Sequence, residues 1–93
     1  MTETMTRPQP RTLVLNPADN VAVALANLEV GSDTPQDVRI VRRVPKGHKF
    51  ASRAIGAGEA VVKFGQIIGF AKEAIVPGDW VHEHNCGMGG PDG

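Results

Sequence analysis

Short runs of alternating apolar and polar residues dominate this chain, with a period of two more often than the 3.6 of a helix. Glycine and proline punctuate these runs, which favours tight turns over helices. One apolar segment, 19–26, is ambiguous because its valines favour a strand and its alanines a short helix. The pattern therefore predicts a small, closed, all-β fold, with strands at 12–15, 38–41, 60–64, 66–71 and 79–84.

One turn motif recurs along the chain. Segments 54–61 and 74–81 share the pattern Ala-Ile-x-x-Gly-acid-x-Val, and segments 28–31 and 44–47 repeat its apolar-x-x-Gly core. We interpret the motif as a turn in which an apolar residue fills the core and glycine takes a backbone conformation that side chains resist. Two related halves that fold against each other would close a small barrel and cover the strand edges.

Length and composition restrict the possible functions. A chain of 93 residues forms one domain at most, and its thin core is of a kind that a partner often stabilises. Ten basic and ten acidic residues cancel, so charge gives no reason to expect nucleic acid or a membrane surface as a partner. A single cysteine and the lack of a long apolar run predict a cytoplasmic protein.

The two ends differ in composition from the rest of the chain. Residues 1–10 are rich in threonine and proline, and residues 87–93 are rich in glycine. Segments of this kind bury little apolar surface, so both ends are predicted to be flexible tails. The folded domain is expected at 11–86.

The candidate chemistry centres on a histidine pair near the end of the chain. His82 and His84 are two residues apart on the predicted last strand, so both would project from one face. Two imidazoles on one face can take two positions around a divalent metal and leave the others to carboxylates, water or substrate. The alternative is that both are ordinary surface residues. Cys86 follows closely and is interpreted as an incidental free thiol.

A third histidine lies in a basic part of the chain. His48 follows a glycine turn, and its neighbours Lys46 and Lys49 would suit a substrate that carries a carboxylate. The wider stretch 39–49 holds five basic residues and no acid, which is typical either of a solvated face or of an anion site. The chain contains no phosphate-binding loop, no C-x-x-C pair and no G-x-S-x-G motif. A complete active site cannot be assembled from these residues.

Taken together, the motifs resemble a known family. The elements are DNVAVA at 19–24, VPKGHKFA at 44–51, the I-x-x-GE-x-V-x-KFGQ-x-IG pattern from 55 to 69, and I-x-x-G-x-x-VH-x-HN from 75 to 85. They resemble the N-terminal SAF domain of the altronate/galactarate dehydratase family over nearly the whole foldable part of the chain. The resemblance implies a β-clip fold, similar to that of type III antifreeze protein.

The resemblance also implies a function. Enzymes of that family are metal-dependent hydro-lyases that convert hydroxylated sugar acids to 2-keto-3-deoxy acids with iron or manganese. We therefore expect a small subunit that shares its site with a large catalytic subunit and is inactive alone, with a homo-oligomer as a further option for its assembly. The expected roles are acid/base catalysis for His48, substrate binding for Lys46 and Lys49, and metal binding for His82 and His84.

Two alternatives stay open at this point. A related branch, sulfolactate sulfo-lyase, expels sulfite from a similar small acid, and the chain also resembles its small subunit. The other alternative is a module without catalysis, which either binds a carboxylated ligand or serves in assembly with its histidines on the surface.

Overall fold

Seven short strands make up the fold in the computed structural model, which describes residues 11–88. The strands are β1 (Thr12–Leu13), β2 (Val21–Ala24), β3 (Lys49–Ala51), β4 (Ala60–Lys63), β5 (Gln66–Ala71), β6 (Trp80–Val81) and β7 (Cys86–Gly87). No helix occurs in the described range, so the prediction of an all-β fold is confirmed. The predicted N-terminal tail, 1–10, lies outside the described residues. So do residues 89–93 of the predicted C-terminal tail.

The strands form two antiparallel sheets rather than the single closed barrel expected from the sequence. The first sheet has the order β1-β2-β3-β6, and the second has the order β4-β5-β7. The Asn20 side chain joins the two sheets just before β2. Its Nδ2 donates to the carbonyl of Ala60 at 2.9 Å, and its Oδ1 accepts the Val62 N–H at 2.8 Å. These two side-chain hydrogen bonds link the start of β2 to β4.

Several strand predictions need correction. The predicted strand at 38–41 is absent, and only an isolated bridge joins Arg39 to Asp33. The physical reason is a change of partner: Ile40 donates to Ser32, whereas Val41 donates to Gly78, so no single neighbour continues the ladder. The predicted strands at 12–15 and 79–84 end at Leu13 and Val81, and the ambiguous segment 19–26 forms strand β2.

The recurrent turn is confirmed at all four positions. Its apolar residues are all buried, namely Leu28, Val44, Ile55 and Ile75. The glycines three residues later all have φ between 84° and 93°, namely Gly31, Gly47, Gly58 and Gly78. In each copy the N–H after the glycine donates to the carbonyl three residues earlier, as His48 does to Pro45 at 3.0 Å. This is the arrangement of a type II turn, in which the third position favours glycine.

The core consists of two clusters on opposite faces of the first sheet. Because side chains alternate along a strand, neighbouring residues of β2 enter different clusters. One cluster contains Val21, Ala51, Ile55, Val61, Ala71, Ile75 and Val81. The other contains Ala22, Ala24, Leu28, Ile40, Val44 and Phe50, with Trp80 packed against it.

Residues 11–88 include no helix long and apolar enough to cross a membrane.

Candidate functional site

Sheet topology brings two distant histidines together. β3 and β6 are antiparallel neighbours, with Phe50 opposite Trp80 and Lys49 opposite Val81. His48 immediately precedes β3 and His82 immediately follows β6, so the same end of the sheet carries both. Their ring centroids are 5.1 Å apart. The sequence singles out both residues, but only strand pairing reveals that they are neighbours.

Trp80, the only tryptophan of the chain, contacts all three histidines. Its ring stacks on His82 with the centroids 4.9 Å apart and the planes 7° from parallel. His84 and His48 lie against it at 5.4 Å and 5.6 Å with tilted rings. The indole Nε1–H donates to Nδ1 of His48 at 3.3 Å. That hydrogen bond assigns the hydrogen of a neutral His48 ring to Nε2, which leaves Nε2 as its donor atom.

A turn, and not the predicted strand, presents the histidine pair. β6 ends at Val81, and the chain turns through 82–85. The side chain of Asn85 is buried and holds this turn in place. Its Oδ1 accepts the N–H of His82 at 3.0 Å, and its Nδ2 donates to the carbonyl of Trp80 at 2.9 Å. The prediction that a strand presents His82 and His84 was therefore wrong, although both rings do lie against the same side chain, Trp80.

Arg42 reaches the cluster from the connection between β2 and β3. One guanidinium nitrogen, Nη1, lies 2.8 Å from Nε2 of His84, and Nε lies 3.2 Å from Oδ1 of Asp79. A guanidinium can only donate, so Nε2 of His84 accepts, and a neutral His84 carries its hydrogen on Nδ1. Asp79 also accepts the N–H of Trp80 at 2.8 Å, which fixes the carboxylate at the start of β6.

The remaining basic residues of 39–49 do not join this cluster. Arg39 and Arg43 form exposed ion pairs with Asp33 and Glu29, each at 3.1 Å. The side chain of Lys46 is exposed, on the turn that precedes His48. Lys49 alternates with Phe50 on β3, which places it on the sheet face opposite that of Phe50 and Trp80. Geometry thus separates Arg42 from the other arginines of the stretch.

The cluster includes residues that could hold part of a metal site. His82 and His84 are suitable nitrogen donors for a divalent cation. Residues 11–88 contain no group of three or more His, Cys, Asp or Glu side chains placed to hold a metal ion. Within this range His82 and His84 make up only part of a metal donor set.

The predicted site residues omit three members of this cluster. Trp80 is two residues from His82, and this spacing was the one available signal that both share a face. Asn85 belongs to the HEHN motif but had no assigned role. Arg42 gave no signal beyond its place in a basic stretch, because its contact with His84 spans 42 positions.

Comparison with known proteins identifies one family and several relatives. Residues 10–89 match the family described as altronate/galactarate dehydratase SAF domain. The chain is 46% identical over 70 residues to altronate dehydratase from Escherichia coli (strain K12). The matched segment covers 72% of this chain and 14% of that protein. It is 34% identical over 67 residues to galactarate dehydratase (L-threo-forming) from the same organism, which covers 70% of this chain and 13% of the relative.

A shorter relative is also similar. The alpha subunit of (2R)-sulfolactate sulfo-lyase from Paracoccus pantotrophus is 42% identical over 43 residues, covering 46% of this chain and 64% of that subunit. The chain thus spans about a seventh of the two dehydratases.

Proposed function

Because this chain belongs to the altronate/galactarate dehydratase SAF-domain family, we propose that it works as the small subunit of a lyase that dehydrates a sugar acid to a 2-keto-3-deoxy acid. In this proposal a separate large subunit supplies most of the active site, and the SAF domain alone is inactive. The observation that carries the proposal is the convergence of His48, His82 and His84 on Trp80. Three imidazoles at one end of a sheet are well suited to proton transfer and ligand binding.

His48 is the proposed acid/base residue. Loss of water from a hydroxy acid requires removal of a proton next to the carboxylate and protonation of the departing hydroxyl. Trp80 donates to Nδ1 of His48, so Nε2 carries the hydrogen of the neutral ring and is the atom that donates; for Nε2 to accept a proton, the ring has to release the Trp80 hydrogen bond and change tautomer. The partly buried position of His48 between Trp80 and His82 limits the orientations of its ring.

Lys46 and Lys49 are the proposed binding residues for the substrate carboxylate. An ammonium group attracts a carboxylate as a point charge. Lys46 is the better placed of the two, because it is exposed on the turn that leads into His48. Lys49 would need a substrate or partner that reaches the other face of β3.

His82 and His84 are the proposed donors to a divalent metal, iron or manganese, shared with the large subunit. When bound, such a cation would polarise the leaving hydroxyl and stabilise negative charge next to the carboxylate. Asn85 and Trp80 hold the two histidines in place, through the turn and through ring contacts respectively.

A sulfo-lyase is the second candidate, favoured by the similarity to the alpha subunit of (2R)-sulfolactate sulfo-lyase. One experiment separates the two. The chain is mixed with a large catalytic subunit of the same family, and altronate, galactarate and sulfolactate are supplied in turn. Formation of a 2-keto-3-deoxy acid supports the dehydratase, whereas release of sulfite supports the sulfo-lyase. If neither product forms and the chain alone still binds the acids in calorimetry, the domain is a binding module without catalysis.

A further inference from the structure

Arg42 donates a hydrogen bond to the ring nitrogen that His84 would use to bind a metal. A neutral imidazole has one free lone pair, and in His84 that lone pair is on Nε2. The Arg42 guanidinium lies 2.8 Å from this atom. While the contact persists, His84 has no lone pair to offer a cation.

The position of Arg42 is held from its other side. Its Nε forms an ion pair with Asp79, whose side chain is only 14% exposed and also accepts the Trp80 N–H. The Arg42 side chain is 52% exposed, so it can leave His84 without disrupting the core. Arg43 is the natural comparison, because its side chain is 51% exposed and pairs with Glu29 outside the cluster.

We propose that Arg42 and a divalent cation compete for Nε2 of His84, so that Arg42 lowers the affinity of the free chain for metal. This inference rests on the metal role proposed above for His84. It makes Arg42 a positioning residue, which fixes the tautomer and orientation of His84. Metal binding through His84 then requires that the guanidinium moves away or finds another acceptor.

Calorimetric titration of the 93-residue chain with Zn²⁺ tests the competition, since imidazole sites bind Zn²⁺ well. Arg42→Met should tighten Zn²⁺ binding roughly three- to tenfold, the range that corresponds to loss of a half-exposed, charge-assisted hydrogen bond. Arg43→Met removes the same charge one residue away and should leave the affinity unchanged. The gain from Arg42→Met should disappear when His84→Ala is added. A gain that persists without His84 reflects charge alone and overturns the proposal, as does no gain.

Nitrogen NMR of the His84 ring gives a readout that does not depend on metal. Proton–nitrogen spectra of the metal-free wild type at alkaline pH should show hydrogen on Nδ1 of His84 and none on Nε2. Arg42→Met should lose this preference, and Arg42→Lys, which keeps a donor and the charge, should retain part of it. A wild-type ring with hydrogen on Nε2 would contradict the proposal. Neither experiment uses the large subunit, so both can fail even if the reconstituted enzyme is active.

Discussion

One buried amide decides how the histidines are presented. Asn85 is 1% exposed, and its side chain satisfies the N–H of His82 and the carbonyl of Trp80. Its own N–H also donates to the carbonyl of His82 at 3.0 Å. The turn at 82–85 therefore has a fixed shape, although its histidines are partly or fully exposed. A buried residue, Asn85, thus sets the positions of two histidines at the surface.

Asn85→Ala is expected to lower the free energy of unfolding by about 3 kcal/mol, because it leaves two backbone groups without their partner in a buried place. Urea unfolding followed by Trp80 fluorescence measures the effect. Asn27→Ala is the matched control: its Oδ1 accepts the N–H of Lys46 at an exposed position, and its removal should cost about 1 kcal/mol or less. Equal losses in the two variants would contradict the role assigned to Asn85.

Among the elements of the fold, the repeated turn occurs four times, at 28–31, 44–47, 55–58 and 75–78. Each copy buries one apolar side chain, and the copies pair, Leu28 with Val44 and Ile55 with Ile75. The four glycines share a left-handed backbone but not the same surroundings. A Cβ at Gly47 would meet nothing within 4 Å, whereas a Cβ at Gly78 would collide with the carbonyl of Arg39.

Gly78→Ala should therefore destabilise the fold much more than Gly47→Ala. Both substitutions carry the cost of a side chain at positive φ, about 1–2 kcal/mol. Only the first also forces the backbone at Arg39 to move, which adds roughly 2 kcal/mol. Thermal or urea unfolding of the two variants compares them directly. Similar stabilities would show that the turns at 44–47 and 75–78 are not packed differently.

The β4–β5 hairpin depends on a carboxylate from outside it. Its two turn residues, Phe64 and Gly65, have φ of 55° and 79°, and Oδ1 of Asp19 accepts the N–H of Gly65 at 2.8 Å. Burial raises the pKa of the Asp19 carboxyl, but the hydrogen bond from the Gly65 N–H and the nearby backbone of Phe64, Leu15 and Asn16 together lower that pKa below its ordinary value of 3.8. The hairpin turn is thus tied to an ionised Asp19.

This pKa shift predicts how stability depends on pH. A carboxyl with a lowered pKa in the folded state stabilises fully above its ordinary pKa, and the effect is lost as pH falls through the lowered value. Asp19→Asn should be less stable than the wild type at neutral pH, and the difference should shrink below about pH 3.8. Urea unfolding across this range measures it. Asp37→Asn, at an exposed turn position, serves as the control. A difference that stays constant with pH would contradict the ionised role of Asp19.

For the whole molecule, local features were predictable from the sequence and distant contacts were not. Gly31 and Gly78 reveal their turns because the conformational demand lies within a few residues. The two sheets are joined by hydrogen bonds of the Asn20 side chain, which donates to the carbonyl of Ala60 and accepts the N–H of Val62, and no local pattern indicates these bonds. A wholly local reading therefore favoured a single closed barrel.

The candidate site divides in the same way. His48 and His82 were chosen from the sequence, and the pairing of β3 with β6 brings their rings together. The contact of Arg42 with His84 was unpredictable, because it joins a loop to a turn across 42 positions. The alternating pattern also predicted too long a strand β6. Alternation does not reveal that the Asn85 side chain, and not a neighbouring strand, makes hydrogen bonds with the backbone of His82 and Trp80.

In the proposed function, this domain contributes working histidines to a shared lyase site. Turnover of the complex with a large catalytic subunit tests it most directly, with His48→Gln compared against Glu83→Gln. Glu83 is exposed between His82 and His84, so its variant controls for changes near the cluster. With assembly unchanged, His48→Gln should lower kcat about a hundredfold or more, the usual loss for an acid/base residue, and Glu83→Gln should have little effect. Wild-type turnover in His48→Gln would contradict the claim.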